Sequence, residues 1–181
     1  MSSTGATAIN GTMIGAGLDL ITTQSFSTVA AVILDNCFSY TYRNYKVLLT
    51  VDGVTASSWM RGRLRIGGTG PATNDYEKAG FQMNASGGYS AYTTLTGPQM
   101  DLFSSDAGYV PLTAEITFFN PQRGGQTRMQ WIASGALSGT SGTITYLNTT
   151  RYALATQFDG WSFWPDFGTM SGSVSVYGYK K

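Results

Sequence analysis

The chain has 181 residues, enough for one domain, and a domain of this size buries about 70% of the surface its unfolded form exposes. Charged residues make up 12% of it, and 11 Lys and Arg against 10 Asp and Glu leave a net charge of +1, which argues against a nucleic-acid or membrane-surface protein. With 23 Gly, 11 Tyr and 9 Phe, the composition is that of an all-β protein with many turns.

Met1 to Thr23 is small, polar and Gly-rich, with Ile9, Met13, Ile14, Leu18 and Leu20 as apolar anchors. It reads as an extended N-terminal arm over 1–23, either a solvated tail or an arm ordered by a neighbouring subunit, ahead of one domain over 24–181. Met1 to Gly17 has no basic leader before a continuous apolar core, so the product is expected to be made and kept in the cytoplasm. No stretch approaches the roughly 20 apolar residues of a membrane span.

Ser27 to Leu34 reads as the first core strand, closed by the turn signal Asp35-Asn36-Cys37. An aromatic stretch, Phe38 to Tyr45, leads into a strand at Lys46 to Asp52 with Val47, Leu49 and Val51 on one face. Trp59 to Ile66 alternates more sharply, with Arg61, Arg63 and Arg65 opposite Gly62, Leu64 and Ile66. Tyr76 to Met83 is open between a helical turn and a strand, and Tyr89 to Leu95 reads as a strand. Leu112 to Asn120 and Thr127 to Ser134 form the clearest antiparallel hairpin, with Ala114, Ile116 and Phe118 on one face of the first strand and Met129, Trp131 and Ala133 on one face of the second. Short strands follow at Ile144 to Leu147 and Arg151 to Thr156, then a Trp/Phe-rich bend at Gly160 to Pro165.

Ser171 to Tyr179 closes the chain as a two-faced strand, Val174 and Val176 on one side and Ser173, Ser175 and Tyr177 on the other. So apolar a terminus needs partners, and it is expected to pair between earlier strands. The sum is a single antiparallel β-sandwich, jelly-roll-like, of about eight strands.

The chemistry-bearing residues are few. With no histidine and one cysteine, His-based nucleophile devices and thiolate metal clusters are excluded, and no cofactor is expected. Cys37 is read as a buried apolar residue or, alternatively, a reactive thiol. Asp159 beside Trp161 and Trp164 would suit glycoside hydrolysis, or sit in a turn, or make a non-catalytic sugar contact. Asp75 and Glu77 read as a solvated loop, and Asp101 with Asp106 lacks a calcium-loop signature. The arginine row is a solvated face, a subunit interface paired to a neighbour's acids, or a nucleic-acid contact.

Two segments carry a resemblance: Phe38-Ser39-Tyr40-Thr41-Tyr42-Arg43-Asn44-Tyr45-Lys46-Val47-Leu48, and the close Met170-Ser171-Gly172-Ser173-Val174-Ser175-Val176-Tyr177-Gly178-Tyr179. With the Met60 to Ile66 strand between them, the pattern resembles small β-sandwich virion proteins of tailed bacteriophages, including cyanophages. The resemblance implies a non-enzymatic virion protein, most simply a decoration or cement protein over capsid-subunit junctions, binding copies of itself as a homotrimer and the major capsid protein. Its candidate subunit-interface residues are Arg61, Arg63, Arg65, Ile9, Met13 and Ile14. The alternative is a receptor-binding domain of a tail fibre or spike, with Tyr89, Tyr92, Trp161 and Trp164 as a stacking surface for host glycans.

Overall fold

The computed structural model describes residues 17–71, 73–94, 96–107, 111–136 and 143–180. They form twelve strands and no helix: β1 (Leu18–Val29), β2 (Val32–Leu34), β3 (Asn44–Val54), β4 (Ser58–Arg65), β5 (Tyr76–Asn84), β6 (Tyr89–Thr94), β7 (Met100–Ser105), β8 (Leu112–Phe119), β9 (Arg128–Ala136), β10 (Thr143–Tyr152), β11 (Gly160–Pro165) and β12 (Met170–Tyr179). Every pairing is antiparallel.

An eight-stranded sheet in the order β1-β12-β3-β8-β9-β10-β5-β6 faces a four-stranded sheet in the order β2-β11-β4-β7. Four successive strand pairs, β1/β2, β3/β4, β7/β8 and β11/β12, each give one member to either sheet. The facing orders β1-β12-β3-β8 and β2-β11-β4-β7 therefore match, which is the jelly-roll arrangement. The count exceeds the expected eight or so because Ser27 to Leu34 is divided between β1 and β2, and because Met100 to Ser105 and Gly160 to Pro165 are strands, β7 and β11; the hairpins β5–β6 and β9–β10 extend one side of the large sheet.

Local chemistry sets the corners. The expected strand Ser27 to Leu34 is broken: β1 bulges after Phe26, Thr28 takes a φ of 53°, and the chain crosses at Ala30-Ala31 into β2. The Thr28 amide donates to Ser171 Oγ at 2.9 Å, so the kink leans on β12. Thr55 and Thr169 tie the β3/β4 and β11/β12 corners together, Thr55 N–H to Thr169 O at 3.0 Å and Thr169 N–H to Thr55 Oγ1 at 2.8 Å. Part of the expected arm, Leu18 to Thr23, is the first half of edge strand β1; Ile9, Met13 and Ile14 lie outside the described residues.

Tyr76 to Asn84, left open between a helical turn and a strand, is a strand, and the two short strands expected at Ile144 and Arg151 are one, β10. The Trp/Phe-rich bend is β11, the strand between β2 and β4. Both of its faces are covered, so it shows no polar alternation.

The core lies between the sheets. Phe26, Phe163, Trp161, Phe118, Phe38 and Tyr45 form a chain of ring contacts with centroids 4.7–5.6 Å apart, alternating between strands of the two sheets and the loop before β3. The Tyr45 hydroxyl clamps that loop, accepting from Ser39 N–H and donating to Ser39 O, both at 2.6 Å.

The end of β12 is notched for Tyr42. A Cβ on Gly178 would lie 2.3 Å from Cγ of the Tyr42 ring. The ring crosses that notch, and its hydroxyl donates to Asp19 Oδ2 at 2.9 Å; Asp19 is the β1 residue opposite Gly178. Gly178→Ala should cost about 1–3 kcal/mol in urea unfolding, and most of that cost should vanish in a Tyr42→Ala background. An equal cost in both backgrounds would refute the notch.

Asp19 also pairs with Lys180 at 3.0 Å. The Lys180 hydrogen bond, with that of Tyr42, holds the Asp19 carboxyl below its ordinary value. The stabilisation is therefore present above the usual Asp range near about 3.9 and is lost as pH falls through the lowered value in the folded chain. An NMR titration of Asp19 should show its midpoint rise in Lys180→Gln; an unmoved midpoint would contradict the latch.

Candidate functional site

The two added hairpins widen the large sheet beyond the strands opposite it. Period-2 alternation sends Glu115 and Thr117 of β8, Gln130 and Ile132 of β9, Leu147 and Thr149 of β10, Ala79 and Phe81 of β5, and Ala91 and Thr93 of β6 to its outer face. Register lines up Ala91, Phe81, Leu147, Ile132, Glu115 and Leu48 straight across six strands. Four members of this row are exposed and apolar: Phe81 (40%), Leu147 (43%), Ile132 (54%) and Leu48 (42%). Sheet curvature turns the row's β8-to-β6 side into an open groove of about 660 Å³. Glu115 is the acid in it and is neutralised by Lys46 at 2.5 Å.

Beneath the groove, Gly80 makes room for Asn148: a Cβ there would fall 1.8 Å from Asn148 Oδ1. The buried Asn148 amide in turn holds the Tyr92 hydroxyl. The β5–β6 hairpin is thereby fixed to β10 from the inner side, which makes the groove floor rigid.

The arginine row lies on the outer face of the small sheet, as alternation predicts, but its acids come from the same chain. Arg61 grips Asp166 with Nε at 2.9 Å and its terminal nitrogen at 2.6 Å, and also bonds Asp101. Arg65 Nε donates to Asp35 at 2.6 Å. Arg63 Nε donates to the Pro98 carbonyl at 3.0 Å, and its guanidinium sits 5.5 Å over the Trp164 ring. Arg61 and Arg65 are thus paired to acids of their own chain, and Arg63 to a carbonyl and a ring. Asp101 bonds both Arg61 and Lys78, the latter at 2.6 Å, so cations occupy the position where calcium was considered.

The four aromatics expected as a stacking surface are not brought together. Trp161 is fully buried between Phe118 and Phe163. Trp164 lies under Arg63 on the small sheet, and Tyr89 and Tyr92 belong to β6 of the large sheet, pointing to opposite faces. Glu77 is not in a loop but in β5, bound to Arg151 at 2.5 Å.

Burial pushes the Cys37 thiol and the Tyr92 phenol each up to about 12, while Arg151 holds the Glu77 carboxyl below its usual range. Each of these shifts runs away from neutral pH, as ion pairs and core packing dictate, and opposite to the tuning that general acid–base work requires. Among the described residues, no group of three or more His, Cys, Asp or Glu is placed to hold a metal ion.

Trp161→Ala should cost about 3–5 kcal/mol in thermal denaturation, because it empties the centre of the aromatic chain. Tyr89→Ala should stay within about 0.5 kcal/mol of the parent, since that ring is exposed. A Trp161→Ala protein as stable as the parent would contradict this placement.

No protein-family model matches the chain, and the search of curated proteins finds no match either.

Proposed function

We propose that the chain is a non-enzymatic structural protein of a tailed-phage particle, a decoration protein seated over junctions between capsid subunits and packed against copies of itself. The observation that carries this reading is the outer face of the large sheet. Phe81, Leu147 and Ile132 form an apolar row, with Leu48 beyond the Glu115–Lys46 pair, that no element described in this chain covers. Apolar residues set in line on a rigid sheet suit permanent packing against a neighbour, and each contributes about 25 cal/mol per Å² of surface removed from water. The jelly-roll sandwich and the closing Ser-Gly-x-Val-x-Val-Tyr-Gly strand support the same reading through the resemblance noted above. Repetition on a lattice then multiplies modest contacts through avidity.

Mass spectrometry of purified particles should recover the protein, at a copy number by gel densitometry comparable to the capsid subunits. Ile132→Asp, a change at an exposed position, should fold normally and fail to bind particles that lack the protein. Recovery from infected-cell lysate but not from particles would overturn the reading, as would normal attachment of the Ile132→Asp protein.

A further inference from the structure

Six of the ten described cations are paired to carboxylates, which makes the other four informative. Lys46, Arg61, Arg65, Lys78, Arg151 and Lys180 each hold a carboxylate. Among the described residues, Arg43, Arg63, Arg123 and Arg128 do not. Arg63 is occupied by Pro98 and Trp164. The other three converge on one open pocket of about 930 Å³, whose remaining wall is Phe119, Asn120, Gly125 and Gln126 with no carboxylate.

Two of these arginines are held in place by neutral partners. Arg43 Nε donates to Asn120 Oδ1 at 2.8 Å. Arg123 donates to the Tyr40 carbonyl at 3.1 Å, with its guanidinium 5.8 Å from the Tyr40 ring centroid. Each spends one donor on a neutral group and has others to offer.

The pocket is continuous with the apolar groove. Phe119, Arg128, Arg151 and Glu77 form one cross-strand row, and Thr117, Gln130, Thr149, Ala79 and Thr93 form the next. The row after that contains Ile132, Leu147 and Phe81. A smaller depression of about 330 Å³ shares Arg128 with the pocket and Thr149, Ala79 and Thr93 with the groove, and the ion-paired Arg151 and Glu77 also line it. From Arg128 to Ile132 is roughly 13 Å along the strand, the span of four extended residues.

We propose that this track is a binding site for an acidic peptide segment, which places carboxylates among Arg43, Arg123 and Arg128 and lays apolar side chains over Ile132 and Leu147. Guanidinium forks match carboxylates, and a neighbouring apolar floor matches a peptide that alternates faces. A nucleic-acid backbone fits less well, because it needs cations along its whole length. Here the flanking Arg151 and Lys46 are neutralised by Glu77 and Glu115, which leaves the free cations at one end of the track. The inference rests on this surface alone and holds whether or not the protein belongs to a particle.

The test is fluorescence anisotropy with the full chain and three labelled probes: a peptide of consecutive glutamates followed by alternating valine and threonine, the same peptide with glutamines for glutamates, and an oligothymidylate. The glutamate peptide should bind, weaken with salt, and lose affinity about tenfold on removal of one charged hydrogen-bonding partner, in Arg43→Gln and Arg128→Gln alike. Ile132→Ser should weaken it as well. Arg63→Gln, which removes the same charge from the other sheet, should leave it unchanged. Circular dichroism confirms that each variant is folded. Equal binding of the glutamate and glutamine peptides would overturn the proposal. So would full affinity in the Arg43, Arg128 or Ile132 variants, a loss in Arg63→Gln as large as in Arg128→Gln, or oligothymidylate binding as tightly as the glutamate peptide. Peptide binding by a protein absent from particles would leave this site standing and remove only the virion role.

Discussion

Both sheets are closed by strands from the end of the chain. β11 inserts between β2 and β4, and β12 between β1 and β3, so β1 and β2 have no strand partner until the last residues arrive. The aromatic chain makes the closure cooperative. Trp161 and Phe163 on β11 are the rings that connect Phe26 on β1 with Phe118 on β8. Without β11, the large sheet would face water with its apolar side. Contacts this distant in sequence carry a large loop-closure cost before they are rewarded, which places the protein among slow, non-local folders.

Much of this frame was legible where a strand has one wet face. β3, β4, β8, β9 and β12 alternate in sequence as they do in burial. β11 was not legible, because arginine side chains cover its outer face and the core covers the inner one, so no period-2 signal survives. β1 was hidden for the opposite reason. It is an edge strand, exposed along most of its length, whose Thr and Ser residues resemble a solvated tail. Partition of strands between the two sheets was also out of reach, since it depends on corners such as Thr28 and Thr55 whose partners lie more than a hundred residues away.

The surface tells a similar story. That Arg61, Arg63 and Arg65 share a face follows from alternation, but that Asp35, Asp101 and Asp166 meet them does not, because these acids come from a loop, from β7 and from the β11/β12 corner. The apolar row needed register across six strands, and no single stretch advertises it: Phe81, Ile132 and Leu147 each look like an ordinary strand residue. The unpaired arginines emerge only by subtraction, once every other cation has been matched to its acid. The two inserted hairpins thus do most to individualise the molecule, for they supply the groove and part of the basic pocket on an otherwise ordinary sandwich.

Leu18 and Tyr179 are direct partners, so the first and last strands of the described chain meet at one corner of the large sheet. Polypeptide leading away from either strand departs from the same place. A passenger domain joined directly to Leu18 or Tyr179 would hang from that corner and leave the Gly87 turn between β5 and β6 unencumbered. The same adjacency makes the molecule a natural subject for circular permutation, in which a short bridge replaces the old ends and new ones open at an exposed hairpin tip.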